Sequence, residues 1–134
     1  MHRPMKAFPI LSCFFLLSVS LPAEKVTIQK IGGKATLLVE GEPFQVHGVG
    51  GDGDLGKLKA SGGNSVRTWG IDKNTQAILD DAHTKGIKVA LGFWLGHERH
   101  GFSYNDWDSN VNQAESLFAA VKKYKDHPAV LTWG

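Results

Sequence analysis

One arginine and three tryptophans stand at or near the ends of short apolar runs in this chain. Arg67 and Trp69 stand near the end of residues 64–70 (NSVRTWG), Trp94 closes residues 87–96 (IKVALGFWLG) before a glycine, and Trp133 sits between Thr132 and Gly134. An aromatic face packs against the C–H face of a pyranose, and an indole adds one N–H donor. Arg67 falls inside an apolar run. Burying a charge is costly unless a carboxylate accompanies it, so Arg67 is expected to hold such a partner at the strand end, in preference to a bridge that merely ties two strands together.

A second group lies in residues 95–110, LGHERHGFSYNDWDSN, which is polar, aromatic and without a steady period. His97 and His100 are three apart and flanked by Gly96 and Gly101, whereas a zinc protease helix needs histidines four apart. No metal is therefore expected, and His97 is read as a hydrogen-bonding partner for a polyol. His100, Tyr104 and Trp107 are candidates for the rim, and His47 is open to either a binding or a structural reading. Cleaving a glycosidic bond needs two carboxylates held on either side of it. Glu98, Asp106 and Asp108 sit in a loop with no visible support, so none is assigned. The catalytic set is left empty, and the substrate-binding set is Arg67, Trp69, Trp94, His97 and Trp133. No phosphate loop, dinucleotide fingerprint or nucleophile elbow is found, and no cofactor is expected.

The elements that must position these groups follow from the apolar pattern. Residues 44–49, 64–69, 87–94 and 129–133 read as short strands, each introduced by Gly or Pro punctuation. Between them, Leu55, Leu58 and Ala60, then Ile78, Leu79 and Ala82, then Val111, Ala114, Leu117, Phe118, Val121 and Tyr124 fall at helical spacing. Asn74 or Thr75 is the expected cap of the second helix, and Ser109 or Asn110 that of the third. Alternating strands and helices imply a parallel sheet with its functional residues where the strands end. Ahead of them, residues 24–43 read as a β-hairpin turning at Gly32 and Gly33.

Residues 1–23 are expected to be a secretory signal. Arg3 and Lys6 precede an apolar run (AFPILSCFFLLSVSL) too short for a membrane span, and small residues lie near the cut. The mature chain would then be secreted or periplasmic, with no stable membrane anchor. It would also lack a thiol, because the single cysteine, Cys13, leaves with the signal. Removing Arg3 and Lys6 takes the basic residues from 15 to 13, equal to the 13 acidic ones. A neutral surface gives no reason to expect nucleic acid as a partner.

The ordered set FQVHGVGG, GGNSVRTWG, KGIKVALGFWLG and KYKDHPAVLTWG resembles the first half of the catalytic barrel of the clan A glycoside hydrolases, in particular the family 2 TIM-barrel proteins. The resemblance covers about residues 42–134. It implies an α/β fold, a partial (β/α)8 TIM barrel of about four βα units over residues 44–134, behind the hairpin. It places Arg67 near the catalytic pair, with Trp69 and Trp94 at the border of the sugar site. The fourth strand of that family usually continues as Trp-Gly-x-x-Asn-Glu, so the acid/base and nucleophile glutamates are expected beyond residue 134. The expectation is an N-terminal fragment of a retaining glycoside hydrolase acting on a poly- or oligosaccharide, inactive alone. The alternatives are a non-catalytic carbohydrate-binding module, a glucanosyltransferase-type transglycosidase, and a small doubly wound α/β domain of unrelated function.

Overall fold

The computed structural model describes residues 26–134, so the expected signal and Cys13 lie outside it. The chain opens with β1 (Val26–Ile31) and β2 (Lys34–Val39), antiparallel and in register from Val26 opposite Val39 to Ile31 opposite Lys34. A third strand, β3 (Glu42–Pro43), folds back on β2, and the Phe44 amide donates to the Leu37 carbonyl at 2.8 Å. The expected two-stranded hairpin is thus a three-stranded sheet. Glu42 and Pro43 are both exposed and show no alternation, which is why the apolar pattern assigned the following residues to the next strand instead.

The second sheet is parallel, in the order β4 (Gly48–Gly50), β5 (Ser65–Arg67), β6 (Lys88–Leu91), β7 (Val130–Trp133). Three helices connect these strands: α1 (Leu55–Ala60), α2 (Thr75–Thr84) and α3 (Trp107–Tyr124). The partial (β/α)8 barrel of about four βα units is therefore overturned. Three helices, not four, accompany the sheet among the described residues, and the sheet is open, with β4 and β7 as its edges. The physical reason is that strand–helix alternation dictates parallel strands, but neither the number of units nor closure, which depends on tilt and stagger along the whole sheet.

Each helix has a local cause. Asp54 caps α1, its carboxylate accepting from the amides of Gly56 at 2.7 Å and Lys57 at 3.1 Å. At the end of α2 the amide of Gly86 bonds the His83 carbonyl and that of Ile87 the Ala82 carbonyl, at 3.0 and 2.8 Å. Gly86 takes φ 64°, the left-handed conformation this closure demands, and brings fully buried Ala82 and Ile87 together. α3 begins at Trp107 with Asp106 as its cap, earlier than expected. Val66, Val89 and Leu91 from the sheet pack with Leu79 and Ala82 of α2 and Tyr124 of α3 to form the core. Among the described residues no helix is long and apolar enough to cross a membrane.

Candidate functional site

Val66 and Thr68 are buried and Arg67 between them is exposed, so Val66 and Thr68 belong to the core side while Arg67 stands on the open face of the sheet. Its neighbours in register are Gly50 and Ala90, both small, and Ala90 in turn pairs with Thr132. The carboxylate partner expected for Arg67 is absent among the described residues. Exposure removes the need for one, since water solvates the guanidinium. Instead its Cζ lies 4.5 Å from the centre of a Trp69 ring. A Cβ added to Gly50 would meet that indole at 3.0 Å, so the glycine leaves the space in which the ring lies.

The three tryptophans all stand at or just beyond the C-terminal ends of neighbouring strands, but they keep different company. Trp69 is 52% exposed and lines a cleft with Asp52, Thr68, Ile71 and Asp72. Trp94 is 64% exposed and makes an edge contact with His97, ring centres 6.0 Å apart. Its cleft is completed by Gln113, Ser116 and Leu117 of α3. Trp133 is half-buried, stacked on Phe93 at 5.4 Å with planes 14° apart, and shares a different cavity with Arg67. The five expected binding residues therefore fall into three neighbourhoods: Arg67 with Trp69, Trp94 with His97, and Trp133 with Phe93.

The loop carrying His97 is held more firmly than its polar sequence suggests. The amide of Gly96 donates to Gln113 Oε1 at 2.6 Å, and its carbonyl accepts from the Tyr104 hydroxyl at 2.7 Å. Asn110 donates to the carbonyls of Tyr104 and Asp106 at 2.9 and 2.6 Å. A short 3-10 turn, Glu98–His100, follows His97, and the His97 and His100 rings lie 6.1 Å apart. Among the described residues no three His, Cys, Asp or Glu side chains are placed to hold a metal ion.

The carboxylates divide by duty. Asp106 accepts from the Ser109 hydroxyl at 2.5 Å and from the amides of Asp108 and Ser109. These bonds, the Ser109 hydroxyl foremost, hold it below its ordinary range, which suits a helix cap and not a proton donor. Asp72 accepts from the Asn74 amide at 2.8 Å and the Thr75 hydroxyl at 3.4 Å, shaping the entry to α2. Asp52, beside Trp69 in the loop after β4, was not singled out from the sequence. Its only signal there was its place in a glycine-rich turn following a strand. His47 holds backbone structure, its amide donating to Asn64 Oδ1 at 2.8 Å.

An indole in a cleft also lined by Asp52 and Asp72 can take the C–H face of a ring, while a carboxylate there accepts from its hydroxyls. No protein-family model matches the chain, and no curated protein is similar enough to match it.

Proposed function

We propose that the C-terminal ends of the parallel strands form a saccharide-binding site of a glycoside hydrolase-type protein, and that this chain alone binds sugar without cleaving it. The observation that carries the reading is Trp69: an indole half open to solvent at a strand end, fixed on one face by Arg67 and flanked in its cleft by Asp52 and Asp72. Trp94 on the next strand supplies a second exposed platform beside His97. The reading without cleavage is supported by two of the carboxylates. A retaining mechanism needs one raised carboxylic acid and one free nucleophile. Asp72 and Asp106 are instead committed to helix starts, and Asp106 is held below its ordinary range.

The test is titration with neutral β-linked hexasaccharides, followed by tryptophan fluorescence and by release of reducing ends. The expected result is a saturable fluorescence change, abolished by Trp69→Ala and weakened by Trp94→Ala, with no reducing ends released. A titration unaltered by Trp69→Ala, or no saturation with any sugar, would sink the binding reading. Reducing ends released above a protein-free control would sink the claim that this chain does not cleave its ligand.

A further inference from the structure

A separate feature lies between the two sheets. There a cavity of about 670 Å3 runs from Val26, Ile28 and Leu37 on the antiparallel sheet to Val49, Ala90 and Leu131 on the parallel one. That volume is ordinary for a small-molecule site, and a lining of this kind takes up an apolar body. It is open: Ile28 is 73% exposed, Val46 57% and Val49 56%. Apolar side chains left this uncovered in one concave place mark a surface that gains by being filled.

Only one of its lining residues is charged, and that is Arg67. Its guanidinium has no carboxylate and no hydrogen-bond acceptor among the described residues, and it packs on Trp69. A guanidinium packed on an indole face keeps the donors around its rim available. Those donors match the two oxygens of a carboxylate as a parallel pair. The hydroxyls of Ser65 and Thr132 also border the cavity and can serve the same oxygens.

We propose that this cavity binds an apolar monocarboxylate, its hydrocarbon body between the two sheets and its carboxylate on Arg67. Charge complementarity selects this occupant. A neutral hydrocarbon makes no use of the guanidinium at the wall, and a polyanion finds one cation only. A sugar ring matches Arg67 but not the valine, isoleucine and leucine walls. The cavity is distinct from the saccharide cleft on the Trp69 side of the strand ends, and Arg67 is the residue the two share, bordering the one and packing on the indole of the other.

Calorimetric titration of the full chain with hexanoate, octanoate, decanoate and the uncharged octanol tests it, alongside sedimentation of the free protein. The expected outcome is one-to-one binding to a monomer, tightening by about fourfold per added methylene, with octanoate at least about tenfold tighter than octanol, as a charge-assisted pair requires. Arg67→Gln should erase that preference, so that octanoate binds no tighter than octanol. Ala90→Leu, which fills the wall next to Arg67, should weaken every member of the series. The proposal is overturned by equal binding of octanoate and octanol, by no binding of any of them, or by a stable dimer that excludes the ligand, since the cavity wall is then the seat of a second copy.

Discussion

His127 Nε2 lies 3.0 Å from Asp80 Oδ1, joining the turn before β7 to α2 across 47 residues of sequence. The other ring nitrogen, Nδ1, accepts from the Ala129 amide at 3.2 Å. An acceptor at Nδ1 fixes the neutral tautomer, with the proton on Nε2 pointed at Asp80. The ring itself is largely buried, with 13% of its side chain exposed, and packs edge-on to His83. One histidine thus sets where the last strand begins.

Asp80 should make part of the stability depend on acid. Its carboxyl is held below its ordinary range, first by the hydrogen bond from His127 and then by that from Gln76. A lowered folded value means the stabilisation is complete above the unfolded value near pH 4 and is lost as pH falls through the folded one. Asp80→Asn is expected to flatten the decline of the urea midpoint below about pH 4 and to lower the midpoint slightly at neutral pH. An unchanged acid limb would show that the bond does not persist in solution.

Asp54 should matter more than the length of its helix suggests. α1 has six residues, and one carboxylate satisfies two of its free amides. Asp54→Ala is expected to cost about 1 kcal/mol, and Asp54→Ser or Asp54→Asn much less. Chemical denaturation of the three variants checks this, and equal losses in all three would point to a cause other than capping.

Trp69 and Trp133 should part company when each is changed to alanine. Trp133 is stacked on Phe93 and packs against the core, so Trp133→Ala is expected to cost roughly 2–3 kcal/mol. Trp69 is half exposed, so Trp69→Ala should move the melting temperature little while removing the sugar-dependent fluorescence change. Paired thermal melts and titrations separate the two roles.

Gly92 should tolerate no side chain. An added Cβ would overlap the carbonyl oxygen of Thr68, whose hydroxyl accepts from the Gly92 amide at 3.1 Å. Gly92→Ala is expected to destabilise the fold by roughly 1–3 kcal/mol, because the backbone stretches after β5 and β6 must separate. A neutral result would mean that the two segments lie farther apart than described.

How far the sequence foretold this depends on where apolar residues recur. β5, β6, β7 and the three helices announced themselves because valines, leucines and isoleucines alternate or repeat along them, with Val66, Leu79, Val89 and Leu91 buried. β4 did not: the strand expected over residues 44–49 runs only from Gly48 to Gly50 and is exposed along its length, so its apolar residues mark no core face. The start of α3 did not announce itself either. Its first turn carries Trp107, 78% exposed, so the apolar stripe begins only at Val111 and Ser109 or Asn110 looked like the cap in place of Asp106. Sheet closure left no mark in the chain at all. Placing indoles at strand ends was legible from the aromatic–glycine endings. Their separate neighbours were not, because the stacking of Trp133 on Phe93 joins β7 to the segment that follows β6 and depends on the register of the two strands. Arg67 misled for a related reason: a strand with one open face accepts a charge that a strand covered on both sides would reject.

Gly96 has both of its backbone polar groups engaged, one by a side chain of α3 and one by Tyr104 within its own loop. The segment bearing His97 is thereby ordered ahead of any guest. A molecule settling against Trp94 would then spend little of its adhesion on freezing chain motion, so preorganisation, rather than extent of contact, would govern how tightly it stays.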